Sequence, residues 1–265
     1  MIFNRRTVVA ASALALTPAA ALAQRDRDAV LYGVINNGKQ RMADNKARDA
    51  FRHPMETLTF WGLKPGMTVL EILPGDSGYW TEIVAPYLKF TSGHYIATGK
   101  MPTRFGDEAI FGKTEWVNTL GRGPLTPPGV ADLVIVSRNI HDFMWTPGLN
   151  DRLLKDFNAS LKPGGILAVE EHRADPRPQV KEARDGYVET KVLIADVERA
   201  GFKLQAQSEI NANPKDTKDH PFGVWTLPPT RRSAQPPAPD DPKFDHAKYD
   251  AIGESDRMTL RFVKA

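Results

Sequence analysis

The sequence predicts an α/β protein: a doubly wound, seven-stranded, mostly parallel sheet, preceded by N-terminal helices and carrying a long loop before its last strand. Three observations predict it. The runs Met67–Leu73 and Ala131–Ser137 are almost continuously apolar, as strands covered on both faces must be. Helical stretches alternate with such runs along the chain. The turns Lys64-Pro65-Gly66 and Lys162-Pro163-Gly164-Gly165 stand directly before two of the runs.

Taken in order, residues Asp28 to Gly62 are helical in pattern. The polar face Ala43–Asp49 is broken at His53-Pro54, Pro54 opens a further helix through Trp61, and Gly62 ends it. The first strand, Met67–Leu73, leads through the loop Pro74-Gly75-Asp76-Ser77-Gly78 into a helix over Tyr79–Leu88. Strands follow at His94–Thr98, Thr114–Leu120 and Ala131–Ser137. A helix over Leu149–Leu161 precedes a fifth strand at Ile166–Glu170. A helix over Tyr187–Ala200 stops at Gly201, and Phe202–Ile210 and Met258–Val263 complete the sheet. Residues 24–265 thus read as one domain with a helical cap at 24–62. Residues 211–256 are an insertion of lid-like or flexible character, its middle (230–241) rich in proline and charge.

Composition narrows the chemistry. The 265 residues, 41% hydrophobic and 25% charged, can bury a core without staples. With no cysteine, disulfides, thiolate zinc sites and cysteine nucleophiles are excluded. Residues 1–23 have the parts of a signal peptide: Arg5-Arg6, an apolar run from Val8 to Leu22, and the small-x-small site Ala21-Leu22-Ala23. Paired arginines suggest the twin-arginine route and export to a bacterial periplasm, with the ordinary secretory route as rival. The apolar run falls short of the ~20 residues of a spanning helix, so no stable membrane insertion is expected after cleavage. Removing Arg5 and Arg6 takes Lys+Arg from 35 to 33 against 32 acidic residues, or +1, which gives no support for a nucleic-acid partner.

The stretch from Leu63 to Glu82 resembles the first motif of class I S-adenosylmethionine-dependent methyltransferases, with Glu71 at its acidic position. Ala131–Val136 resembles their fourth strand and Leu161–Leu167 the turn into their fifth. Order and spacing agree from about Thr57 to Val263. Pro74-Gly75, Tyr79-Trp80-Thr81-Glu82, Arg138-Asn139-Ile140-His141 and Glu171-His172-Arg173 are similar to an exported group of bacterial predicted methyltransferases. The resemblance implies a Rossmann-like fold and the cofactor S-adenosyl-L-methionine. Glu71, Pro74, Gly75, Asp76, Ser77 and Gly78 would shape the cofactor pocket, and Arg138 and Asn139 would approach its methionine part. The chain departs from the family at Leu73, where the first glycine is usual, at Asp76-Ser77, and at Ala97-Thr98-Gly99-Lys100, which lacks the acid that holds the ribose.

Chemistry is expected where strands end on one rim. His141-Asp142 follows the fourth strand and Glu170-Glu171-His172-Arg173 ends the fifth. A histidine there can act as general base near neutral pH, an adjacent carboxylate can orient it, and Arg173 can hold an anionic substrate. The competing reading of His141, Asp142, Glu171, His172 and Arg173 is a structural ion-pair network. No His-x-x-x-His spacing occurs, so no metal site is expected. Tyr79, Trp80, Phe143, Met144 and Trp145 divide between core and pocket wall. His53, His220 and Arg231-Arg232 read as structural. Two functions follow: methyl transfer to a small molecule, or ligand binding by an exported protein that keeps the fold and has lost methyl transfer.

Overall fold

Alternation along the central strands builds the molecule. In the computed structural model, which describes residues 29–118, 120 and 122–265, Leu70 and Ile72 of β1 (Thr68–Ile72) face one apolar layer and Val69 faces the other. In β4 (Ala131–Ser137), Val134 and Val136 join the first layer, and Leu133 and Ile135 the second. The sheet is therefore covered on both sides, as its unbroken apolar runs require. The proposed signal segment, residues 1–23, lies outside the described residues.

The remaining strands are β2 (His94–Thr98), β3 (Thr114–Val117), β5 (Leu161–His172), β6 (Phe202–Ser208) and β7 (Arg257–Lys264). Their order across the seven-stranded sheet is β3-β2-β1-β4-β5-β7-β6. Pairing is parallel from β3 through β5, and β7 runs antiparallel to both β5 and β6. The chain leaves β1 toward β2 and β3, then returns to lay β4 on β1's other side. Such a switch point opens a crevice at the carboxyl ends of the strands.

Four N-terminal helices cover one flank: α1 (29–37), α2 (Ala43–Ala47), α3 (Asp49–Arg52) and α4 (Pro54–Trp61). Pro54 sits in the first turn of α4, and Gly62 ends it in the left-handed region at φ 81°. Helix α5 (Thr81–Phe90) lies with Trp61, Trp80 and the α1 residues Leu31 and Val34 in the second layer. After α6 (Glu108–Phe111) and α7 (Ile140–Phe143), α8 (Leu149–Ser160) and α9 (Thr190–Arg199) fill the first layer with Leu153, Phe157, Leu193 and Val197.

Several boundaries differ from expectation. Tyr187 and Val188 are not helical. The Val188 N–H donates to His172 O at 2.8 Å, adding an isolated parallel bridge beside the end of β5. Helix α9 starts only after Glu189, whose carboxylate accepts from the Val192 N–H at 2.9 Å. Strand β5 continues to His172 because β7 starts early enough to pair Arg257 with it.

The long segment 211–256 carries an extended stretch, Pro221–Val224, and the helix α10 (Ala247–Ile252). Its start is anchored by Asn211, which donates to the Thr57 and Thr259 hydroxyls at 3.1 and 3.0 Å. Within the stretch read as flexible, Ser233 donates to Asp240 through its N–H and hydroxyl at 2.7 and 3.1 Å. No helix among the described residues is long and apolar enough to cross a membrane.

Candidate active site

The switch point between β1 and β4 opens into a cavity of about 290 Å³. Glu71 and the loop Leu73–Gly75 form its β1 side, and Arg138, Asn139 and His141 its β4 side. Strands β5 and β7 contribute His172 and Arg257, while the long segment brings Trp225 and Ser255 across the opening.

The loop after β1 turns where glycine is usual. Leu73 adopts φ 44°, a left-handed conformation that is strained for a branched residue. Its N–H donates to the Thr98 hydroxyl at 2.9 Å, and Asn139 Nδ2 donates to Ile72 O at 2.9 Å. The turn is thus held from β2 and β4 together. Gly75, at φ 68°, has no heavy atom within 4 Å of where a Cβ would stand, which leaves its backbone open to a ligand.

Glu71 is buried beneath this loop. Its Oε2 accepts from the Tyr95 hydroxyl at 2.6 Å and the Thr81 hydroxyl at 3.1 Å. Burial overrides both and pushes its pKa up to about 7.

The β4–β5 side is charged. Glu171 Oε2 accepts the Ile140 and His141 N–H groups at 2.7 and 3.2 Å, and Oε1 accepts the His172 N–H at 2.8 Å. The same Oε1 is 2.8 Å from His141 Nδ1. An ionised carboxylate only accepts, so Nδ1 carries the proton and Nε2 is the basic nitrogen. Asp142 lies 3.3 Å from that Nε2. Burial alone lowers the His141 pKa, but Glu171 and Asp142 prevail and hold it above its ordinary value.

His172 is the opposite case. Its ring lies 5.2 Å from that of His141, and its Nδ1 is hydrogen-bonded to the Ser255 hydroxyl at 2.5 Å. Burial first, then His141, Arg138 and Arg257, hold its pKa well below normal. It stays neutral where His141 titrates. Trp225 and Trp145 enclose His141, with ring centroids 5.8 and 6.4 Å away.

Of the residues expected from sequence, Glu71, Pro74, Gly75, Ser77, Arg138, Asn139, His141, Asp142 and His172 line this one cavity. Asp76 and Gly78 do not line it, and a Cβ at Gly78 would meet Phe105 at 2.2 Å, so that glycine serves packing. Glu171 stands behind the wall and positions His141. Arg173 is a correction. It falls on the opposite face from His172 and binds Asp256 at 2.8 Å and Glu209 at 2.7 Å, away from the cleft. Sequence reasoning missed Arg48, Glu254, Ser255 and Arg257. Only the last three left a signal, a polar run directly before a strand whose antiparallel direction brings its start to the same rim.

His141, Glu171 and His172 offer ligand atoms within 4.8 Å of one another. Glu171 already accepts four N–H groups there, and Arg138 and Arg257 act on His172, so the arrangement suits proton relay better than a cation.

Comparison with protein-family models and with curated proteins gives no match. Among solved structures, a SAM-dependent methyltransferase from Aquifex aeolicus is similar at 15% identity and TM-score 0.53, over 86% of this chain and 97% of that one. The [4+2]-cyclase SpnF is similar at 14% identity and TM-score 0.51, over 92% and 94%. The 1,6-didemethyltoxoflavin-N1-methyltransferase of Burkholderia thailandensis, solved with 1,6-didemethyltoxoflavin and S-adenosylhomocysteine, is similar at 12% identity and TM-score 0.50, over 96% and 93%. At these identities the likeness is one of fold, and that fold is the one the strand order describes.

Proposed function

We propose that the cleft binds S-adenosylmethionine and serves methyl transfer to a small molecule. The observation that carries this reading is a single cavity joining an open β1 loop over a buried acid to a histidine whose base nitrogen is set by Glu171. The residues fit such a cofactor: Gly75 leaves backbone accessible, and the buried Trp80 Nε1, on a side chain lining the cavity, has no partner among the described residues. Glu71, Gly75 and Trp80 would hold it. When bound, S-adenosylmethionine supplies an electrophilic methyl group on a sulfonium. The protein's own part is positioning and one proton transfer. His141 takes the acceptor's proton at Nε2, the resulting imidazolium is stabilised by Glu171 and Asp142, and Trp145 and Trp225 exclude water around it.

The similar structure solved with S-adenosylhomocysteine, and the sequence resemblance at Glu71, support the reading. Calorimetric titration of the purified protein with S-adenosylhomocysteine tests it. Micromolar binding, about −8 kcal/mol, is the expected result. A folded, ligand-free protein that gives no heat with this compound would overturn it.

A second reading, an exported binding protein without methyl transfer, is favoured by one observation. The Thr98 hydroxyl at the end of β2 is already engaged by Leu73 N, and Gly99-Lys100 follows with no acid to hold a ribose. Its signature would be no affinity for the methyl donor. Export itself is tested by the N-terminal sequence of the protein recovered from the periplasm.

A further inference from the structure

One wall of the cleft gathers more guanidinium groups than the carboxylates that bond to them. Glu254 accepts from Arg48 Nε at 2.6 Å, from Arg52 Nε at 3.0 Å, and from Arg257 Nη1. Glu170 lies 3.0 Å from Arg257 Nε and accepts from the Ser137 hydroxyl at 2.6 Å. Those two carboxylates serve Arg48, Arg52 and Arg257, and a fourth guanidinium, that of Arg138, stands among them. Arg138 has no side-chain hydrogen bond among the described residues, and its Nε is buried without a partner. An unpaired guanidinium in a half-buried cleft is costly, and guanidinium does not escape by losing its proton.

Its backbone adds to the cost. Arg138 sits at φ 59°, a left-handed conformation at the end of β4, and its N–H donates to Glu170 O at 2.7 Å. Neighbouring Asn139 is tied to Ile72 O, so this kink is built into the β1–β4 junction. A strained residue that delivers a guanidinium without a hydrogen-bond partner to a cavity wall calls for a ligand to complete it. The charges acting on Arg138 are those of Glu254, Glu170, Arg48 and Arg257, from the N-terminal helices and from the β5 and β7 edge. Arg138 in turn acts on His141 and His172 and not on Glu71, so it belongs with the histidines.

We infer that Arg138, flanked by Arg48 and Arg257, is the subsite for an oxyanion, a carboxylate or phosphate, carried by the molecule whose proton His141 accepts. The acceptor is thus a small anionic compound. This rests on the methyl-transfer reading for the word acceptor, and moves to Arg138 the anion-holding part that the sequence suggested for Arg173. A guanidinium presents paired donors suited to either anion.

Calorimetric titration with inorganic phosphate and, separately, acetate tests it, each with and without saturating S-adenosylhomocysteine. At least one anion should bind, and the tighter of the two names the headgroup. Arg138→Ala and the milder Arg138→Gln should weaken that binding about tenfold or more, as for loss of a charge-assisted contact. Arg199→Ala, an exposed arginine on α9, should leave it unchanged. The melting temperature of Arg138→Gln should not fall, because an unpaired charge is removed. Absence of anion binding, or equal binding by the Arg138 variants, overturns the subsite. Competition between the anion and S-adenosylhomocysteine overturns the assignment to the acceptor and gives Arg138 to the donor's carboxylate. Should S-adenosylhomocysteine fail to bind while phosphate binds through Arg138, the methyl-transfer reading falls and the anion subsite stands.

Discussion

The two walls of the cleft solve the burial of acid in opposite ways. On the β1 wall Glu71 has, among the described residues, no cation beside it and only the hydroxyls of Tyr95 and Thr81 as side-chain partners, and burial drives its pKa to about 7. On the β5–β7 wall Glu254 is equally buried, yet Arg257 and Arg48 outweigh burial and hold its carboxyl below the ordinary range. The first wall avoids charge and the second accumulates it. A ligand lying across both would meet a nearly neutral surface at one end and a cationic one at the other, with His141 between them.

The largest effect that sharpens this contrast is kinetic. On the methyl-transfer reading, His141→Ala should lower transfer by about two to four powers of ten, the range of general-base contributions, while leaving S-adenosylhomocysteine affinity unchanged. An equal loss of both would place His141 in the donor site and blur the division between the walls. Transfer by the unaltered protein should rise with pH through the raised His141 pKa, since only neutral Nε2 accepts a proton.

Next in size is Glu254→Gln. It leaves Arg48, Arg52 and Arg257 without their shared carboxylate, which should cost roughly 3–5 kcal/mol in denaturant unfolding, as for a buried pair losing one partner. A loss under 1 kcal/mol would mean that solvent screens this wall.

The smallest effect belongs to the neutral wall. Glu71 ionises near 4.5 when exposed and near 7 when folded, so the folded state binds the extra proton between those values. Stability contributed by this group is full below pH 4.5 and is lost as pH rises toward 7. A shift of that size corresponds to about 3 kcal/mol. Glu71→Gln should remove this loss, stabilising the protein at pH 8 relative to the unaltered chain, by less than the full figure because glutamine disturbs the Tyr95 contact. Identical pH dependence of the melting temperature in both proteins would refute the assignment.

The same contrast explains what was legible in the sequence. The β1 wall is local: Glu71, Pro74 and Gly75 follow one another, and the apolar run Thr68–Ile72 announces the strand that ends at them. Arg138 and His141 are also legible, because they directly follow the apolar run of β4. Arg48 is not, and Glu254 is legible only as part of a polar run before a strand, with nothing to name its partner. They meet across 206 positions of chain, one on a polar helix face and the other at the close of an irregular segment. Neither shows periodicity that points inward. Arg173 misled for a simpler reason: being at the end of β5 fixes the rim, but the pleat decides which face, and His172 already occupies the inward one. Leu73 was a departure from a glycine pattern in sequence, and the backbone nevertheless takes the turn at φ 44°.

One consequence follows from where β7 lies. The strand that comes last along the chain is inserted between β5 and β6, and it brings Arg257 with it just after Glu254 and Ser255. During synthesis the β1 wall is therefore complete long before the cationic one exists. Until residues 254–264 have emerged, β6 lacks its neighbour β7 and Arg48 lacks the Glu254 carboxylate it pairs with. Removing residues 254–264 would take away β7, Glu254 and Arg257 together, and with them the pairing of β6.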